Sequence, residues 1–338
     1  MSPAAPAVKP LAVSLGDPAG VGPEIVAAAW RALQASGPSF FVVGDARTIG
    51  AAGAPTAAIS DPGEAAGAFA GALPVLDLPL AEPPTPGRPS AAAAPFVVRW
   101  IEAAVQLALD GAAAGVVTAP IAKASLYEAG FAYPGHTEFI GELTRAAPMP
   151  GARGPVMMLA AGGLRAALVT VHEPLARVPG LVTEERIVSA GTVVAEALAR
   201  DFGVAAPRLA VAGLNPHAGE GGALGREELD VVAPAVAALQ ARGIDARGPL
   251  SADSMFHEAA RATYDAALCL YHDQALIPVK MLDFWGGVNL TLGLPIVRTS
   301  PDHGTAFDIA GKGLARPDSL IAAIRLAAEI AARRQGAK

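Results

Sequence analysis

Three histidines in this chain stand where an apolar, strand-like run ends. His172 follows Leu168-Val169-Thr170-Val171, His217 follows the run from Leu209 to Pro216, and His272 follows Ala267-Leu268-Cys269-Leu270-Tyr271. In α/β folds, ligands bind outside the carboxyl ends of parallel strands, where imidazoles from separate strands can converge. Neutral imidazole ligates borderline divalent metals, and a three-ligand site leaves a coordination position for a substrate. Glu173, Glu220 and Asp273 come close behind the three rings. Carboxylates at such places orient a ligating imidazole or handle protons. Taken singly, each histidine also reads as a satisfied hydrogen-bonder; together they predict a catalytic metal site.

Further residues suit an anion. Gly135-His136-Thr137-Glu138 opens an apolar helical stretch. Backbone N–H groups at a helix start, with an imidazole and a hydroxyl, make an anion pocket. The same four residues also read as a plain capping turn. Lys280, Asn289 and Arg298 recur at near-regular spacing in apolar surroundings. Long cations there are costly unless they face a cleft or an anionic ligand, and both types suit phosphate or carboxylate. Snorkelling or structural ion pairing is the alternative.

No Gly-x-Gly-x-x-Gly turn follows the first strand-like run, so a Rossmann dinucleotide site is unsupported. The segment from Asp302 to Gly313 reads Asp-His-Gly-Thr-Ala-Phe-Asp-Ile-Ala-Gly-Lys-Gly. It resembles the adenosine-binding loop of isocitrate and isopropylmalate dehydrogenases, which bind NAD without that fingerprint. His303 therefore reads as a cofactor contact rather than a fourth ligand. His257, in the helical stretch Met255 to Arg261, reads as a surface or packing residue.

The elements that must position these residues alternate along 338 residues, a length sufficient for two domains with substantial cores. Strand-like runs at Leu11–Leu15, Phe40–Val43, Gly115–Val117 and Val288–Val297 alternate with helical stretches at about Pro23–Ala35, Val97–Leu109 and Pro317–Arg333. Such alternation predicts an α/β fold with a mostly parallel sheet. Residues 79–95 carry six prolines and read as a surface excursion; a second proline and glycine cluster, 148–155, separates lobes.

Hydrophobic residues make up 52% of the chain, yet no apolar run is expected to span a bilayer, the closest being the short stretch from Gly111 to Ala122. The N-terminus has no basic cluster followed by a long apolar segment, so no secretory signal is expected. Net charge is −6 with no basic stripe, which argues against nucleic acid. Arg333-Arg334 and Lys338 read as solvation of a helix end. The single Cys269, in a strand-like run, excludes an intrachain disulfide framework and reads as a core residue. The class implied is a soluble cytoplasmic enzyme.

Longer strings bear a family resemblance. They are Gly16-Asp17-Pro18-Ala19-Gly20-Val21-Gly22-Pro23-Glu24, Pro134 to Glu138, Leu214-Asn215-Pro216-His217-Ala218-Gly219-Glu220-Gly221-Gly222, Tyr271-His272-Asp273-Gln274, Asn289 to Pro295 and Arg298 to Ala306. In this order and number they resemble the 4-hydroxythreonine-4-phosphate dehydrogenases of the vitamin B6 pathway. Two departures, Ala223 and Trp285-Gly286, bear on loop packing and touch no matched ligand.

The resemblance implies a two-lobed isocitrate/isopropylmalate dehydrogenase-like fold with a mostly parallel mixed sheet and a central cleft. The lobes would be residues 1–130 with 300–338, and residues 131–299 carrying the metal histidines. It implies a divalent metal (zinc, cobalt, magnesium or manganese) on His172, His217 and His272, with ligands drawn from both subunits of a homodimer. Substrate contacts fall on His136, Thr137, Lys280, Asn289 and Arg298, and NAD or NADP contacts on His303, Gly304, Asp308 and Gly311. Asp253, Asp273 and Lys280 are candidates for proton transfer.

The reaction implied is oxidation of 4-phosphooxy-L-threonine with loss of carbon dioxide, giving 3-amino-2-oxopropyl phosphate. A sister dehydrogenase of a phosphothreonate or phosphoerythronate is the nearest alternative. A three-histidine zinc hydrolase or lyase, or a phosphate-binding or acyl-transfer protein on the same fold, are the readings from other classes. No nucleic acid or membrane partner is expected.

Overall fold

A computed structural model describes residues 9–336. Most of the stretch read for a secretory signal, and Lys338, lie outside the described residues. The chain divides into two compact units, Met1–Pro148 with Pro295–Lys338, and Met149–Leu294. Residues 131–148 and 295–299, expected in the second lobe, thus fall in the first. The reason is packing: α6 (His136–Leu143) and α5 (Lys123–Glu128) both lie against α4 (Ala94–Leu109).

The first unit is built on β1 (Leu11–Ser14), β2 (Phe40–Gly44), β3 (Thr56–Ala58), β4 (Leu73–Asp77), β5 (Val116–Thr118) and β12 (Arg298–Pro301). All pairs are parallel, in the order β3-β4-β2-β1-β5-β12. β1, β2 and β5 are buried throughout, as parallel strands covered on both faces must be. α1 (Gly22–Leu33) begins with Pro23 in its first turn and buries Ile25, Val26, Ala29, Trp30 and Leu33. α2 (Ala46–Ala51) is capped by Asp45, whose carboxylate accepts from the Arg47 and Thr48 amides. α3 (Ala65–Ala68) is a single turn, and α12 (Asp318–Gly336) packs on β12.

The stretch Ala91–Leu109, ending with α4, is long and apolar enough to cross a membrane by length and composition. This corrects the expectation that no run reaches that length, since Arg99 and Glu102 are its only charges. Its stripe of Ala94, Val97, Trp100, Ile101, Ala104 and Val105 is buried, and α4 packs on β1 and β2.

The second unit holds β6 (Val156–Ala161), β7 (Leu164–Leu168), β8 (Arg208–Ala212), β9 (Asp245–Leu250), β10 (Ala266–Cys269) and β11 (Val288–Leu292). Their order is β11-β6-β7-β10-β8-β9; β6 runs antiparallel to both its neighbours and the rest pair in parallel. Helices α7 (Val178–Leu181), α8 (Glu184–Phe202), α9 (Ala233–Ala241), α10 (Glu258–Arg261) and α11 (His272–Leu282) connect them. Thr183 caps the start of α8, and Gly203, at φ 71°, ends it.

Two local expectations change. Within the run Val288–Val297 only Val288–Leu292 is strand, because Gly293 at φ 73° turns the chain after β11, and β12 begins beyond the run, at Arg298. His272 opens α11 instead of closing a strand.

Candidate active site

In the first unit, β5 and β12 lie side by side in parallel, with Arg298, the first residue of β12, paired to Val116, the first of β5. Arg298 is 3% exposed. Its guanidinium donates to Thr118 Oγ1 at 2.7 Å. Burial pulls its pKa down to about 10, and the Glu138 carboxylate offsets part of that. The group is still a cation at neutral pH. His136, the first residue of α6, is half-buried, and its Nε2 is enclosed without a hydrogen-bond partner.

Burial, then the positive charges of Arg298 and Lys123, hold the His136 pKa well below its ordinary value. The ring is therefore neutral at pH 7. Gly135 occupies the cap position of α6 with no side-chain cap, so Thr137 does not cap the helix. A buried guanidinium, a nearby ammonium and an enclosed neutral imidazole at a helix start form a site suited to an anion.

The loop after β12 wraps the turn after β1. Val21 N–H donates to the Thr305 carbonyl at 2.9 Å. A Cβ on Gly20 would lie 2.9 Å from that same carbonyl, so only glycine allows this approach. The Gly311 amide donates to the Glu24 carboxylate. Ala306 sits at φ 43°, a left-handed conformation that L-residues avoid.

Beside this junction is a cavity of about 460 Å³ lined by Gly20, Glu24, Arg31, Pro86, Gly311 and Gly313, among others. Of the four residues expected to contact a dinucleotide, Gly311 lines it. The exposed His303 ring contacts the Gly304 carbonyl at 3.0 Å, and the Asp308 carbonyl accepts from Lys312 Nζ at 2.6 Å.

In the second unit, His172 and His272 are neighbours, with ring centroids 5.6 Å apart. They share a cavity of about 370 Å³ with Glu173, Tyr271 and Asp273. Asp273 Oδ1 lies 2.7 Å from His272 Nδ1, and Glu173 pairs with Arg177 at 3.3 Å. His217 instead faces Asp253, at 3.9 Å. The Ser251 hydroxyl donates to Asp253 at 2.6 Å and, with His217, holds that carboxyl below its ordinary range.

Among the described residues of one chain, no three His, Cys, Asp or Glu side chains form a group that could hold a metal ion. One chain thus brings together two of the three imidazoles and leaves the set short. Lys280 Nζ lies 5.3 Å from the Phe284 ring centroid. Asn289, opposite Leu159 on β6, has an enclosed Oδ1 with no partner.

Residues 37–327 match the sequence profile of the family described as "Pyridoxal phosphate biosynthetic protein PdxA". The chain belongs to this family. A 4-hydroxythreonine-4-phosphate dehydrogenase of Caulobacter vibrioides is 67% identical over 96% of this chain and 98% of its own length. One from Maricaulis maris is 54% identical with the same coverage. The crystal structure of the Klebsiella pneumoniae 4-hydroxythreonine-4-phosphate dehydrogenase superposes with a TM-score of 0.85 at 41% identity, covering 96% of this chain and 98% of that one. As a PdxA protein the chain is an oxidoreductase of pyridoxal phosphate biosynthesis.

Against this PdxA background, sequence reading named His136 and Arg298, quoted Glu138 without a role of its own, and missed Lys123 and Thr118. Lys123 stands five residues beyond the end of β5, just past the turn Thr118-Ala119-Pro120. The strand end was legible, and a lysine after it is the signal that was available.

Proposed function

We propose that this PdxA protein oxidises and decarboxylates 4-phosphooxy-L-threonine to 3-amino-2-oxopropyl phosphate, using NAD or NADP and a divalent cation. The observation that carries the substrate class is the buried Arg298 beside the enclosed, neutral His136. Arg298 and Lys123 put positive charge beside the start of α6, and guanidinium at a helix start suits phosphate. His136, Thr137 and Arg298, with Lys123, grip the phosphate; Lys280 and the unpartnered Asn289 Oδ1 contact the rest of the substrate. That remote binding energy aligns the reacting carbon.

A dinucleotide supplies the hydride acceptor, and a cation on His172, His217 and His272 supplies Lewis acidity at the substrate hydroxyl. His303, Gly304, Asp308 and Gly311 are the proposed dinucleotide contacts, supported by the loop's close approach to Gly20 and by the adjoining cavity. Asp253 is the proposed base for the hydroxyl proton, since it is anionic, exposed and faces His217. Asp273 orients the His272 ring. Lys280 is the further candidate for proton transfer.

A homodimer with a shared active site is part of the proposal. One chain leaves the imidazole set short, and α11, which begins with His272, exposes Ile277 and Met281. Phe284 and Trp285, just beyond it, are exposed too, with rings 5.0 Å apart. Large exposed apolar side chains gathered in this way mark interaction surfaces. The same proposal places the protein in the cytoplasm, where thiols such as Cys269 stay reduced.

A substrate panel tests the reading. Reduced dinucleotide should form with 4-phosphooxy-L-threonine at a kcat/KM well above those for phosphothreonate and phosphoerythronate. A preference for either of those two would assign the chain to the sister activity.

A further inference from the structure

The three histidine-bearing chain ends of the second unit are tied to one another by buried side chains that the proposed reaction does not use. Thr170, two residues before His172 and 3% exposed, donates its hydroxyl to the Leu270 carbonyl at 2.6 Å. The chain leaving β7 is thereby fastened to the chain leaving β10. On its other side, β10 pairs with β8 from Ala266 with Leu209 to Leu268 with Val211. Two residues further on, the side chain of Gln274 stands between them. Its Oε1 accepts from Leu270 N–H and its Nε2 donates to the Gly213 carbonyl, both at 2.7 Å. A side-chain amide carries the same donor and acceptor as a peptide group, so Gln274 extends the ladder by one rung. It is 6% exposed and lies in the first turn of α11, two residues after His272.

Glu228, 2% exposed, continues the pattern at the end of β8. Its Oε1 accepts from the Leu214 and Asn215 amides at 2.7 and 2.6 Å, and its Oε2 from Asn215 Nδ2 at 3.0 Å. Those amides lead into a turn whose residues His217, Ala218, Gly219, Glu220 and Gly221 have φ of 51°, 50°, 79°, 45° and 63°. Left-handed conformations are unfavourable for L-residues and persist only where the surroundings over-determine them. The turn rests on Glu228: a Cβ on Gly219 would lie 2.6 Å from Glu228 Oε2.

We infer that Thr170, Gln274 and Glu228 form one buried polar string that holds in place the chain ends carrying His172, His272 and His217, with Gln274 as its central link. They are positioning residues acting through the chain ends they hold. The inference rests on the reading of the three imidazoles as metal ligands and adds the residues that fix where they stand.

The test uses the full-length protein stripped of metal and titrated with Zn²⁺, alongside hydrogen exchange at named amides. Gln274→Met keeps the side chain's bulk and removes both hydrogen bonds. Zn²⁺ affinity should drop roughly 10- to 100-fold, the range for partners that orient metal ligands. Leu270 amide exchange should rise at least about tenfold, while Ala210 and Leu268 in the strand interiors stay protected. Glu228→Gln retains an acceptor for Leu214 and Asn215 and should bind Zn²⁺ within a few-fold of wild type; Glu228→Ala should lose as much as Gln274→Met. Wild-type Zn²⁺ affinity in both Gln274→Met and Glu228→Ala, with binding lost in His217→Ala, overturns the positioning role. Unchanged binding in His217→Ala overturns the metal reading instead, and the exchange rates then decide the string alone. If a variant does not fold, the wild-type protein decides: Leu214, Asn215 and Leu270 should exchange as slowly as Ala210, and rapid exchange at these three overturns the proposal.

Discussion

The anion site of the first unit and the histidine ends of the second are built on opposite principles. Arg298 is 3% exposed and His136 Nε2 is enclosed, so the charges for an anion are placed and desolvated within one chain. His217 and Asp253 have side chains 64% and 67% exposed, and no three ligand-type side chains gather around them among the described residues. Burial makes a charge selective, because in a low-dielectric setting an ion's interaction with the charge is stronger than in water. Exposure leaves room for ligands the chain does not itself supply. Affinity for the phosphate should therefore be a property of the single chain, and turnover a property of the assembled protein.

The largest effect separating the two regions is expected at His217. His217→Ala should lower turnover by at least about 100-fold, since a catalytic metal contributes several kcal/mol to the barrier. An exposed side chain contributes little to folding, so the melting temperature should move by a few degrees at most. Steady-state kinetics and calorimetry on one preparation check both halves. Arg298→Met comes next: losing a buried charge partner costs about 2–5 kcal/mol, which predicts a KM raised by at least about 30-fold. Arg298→Lys should restore only part of it, because an ammonium lacks the fork. A KM within twofold of wild type in Arg298→Met would remove the phosphate assignment.

A smaller and more specific effect concerns pH. His136 holds its pKa below the ordinary value of 6.5, so the native state binds fewer protons than the unfolded chain as pH falls past that value. Stability from this source is present above about pH 6.5 and is lost as pH falls toward the depressed value. His136→Gln should flatten that part of the stability profile. A bound phosphate offsets the charges of Arg298 and Lys123 though not the burial, so substrate binding should raise the His136 pKa and, below pH 6.5, draw a proton onto the ring. Calorimetric titration in buffers of different ionisation enthalpy measures the uptake, which should vanish in His136→Gln.

The smallest effect is at Cys269, fully buried on β10, where burial pushes the thiol pKa up. Thiol reagents should leave it unmodified in the native protein and react after denaturation.

The same contrast shows what was legible in the residues. Histidines that follow apolar runs and precede Gly- and Pro-rich turns read as site residues because strand ends in α/β folds hold ligands. Arg298 was legible as a costly cation in apolar surroundings, and the structure finds it buried on β12. Lys123 was not, because a lysine near a helix start looks like any solvated charge. Gln274 and Glu228 were illegible as buried residues because each bonds main-chain groups distant in sequence: Gly213, 61 residues from Gln274, and Leu214 and Asn215, 14 and 13 residues from Glu228. The break within Val288–Val297 was hidden because apolar residues continue on either side of Gly293. The left-handed turn at His217 was signalled only by Gly219, Gly221 and Gly222; the conformation of His217, Ala218 and Glu220 is imposed by the surrounding structure.

The most direct measurement follows reduced-dinucleotide absorbance when 4-phosphooxy-L-threonine and NAD or NADP are mixed with the protein as purified, after chelation, and after re-addition of a divalent cation. The account predicts turnover, its loss on chelation, and its return with the cation in wild type but not in His217→Ala. Turnover that survives complete chelation, or a His217→Ala protein restored like wild type, would contradict it.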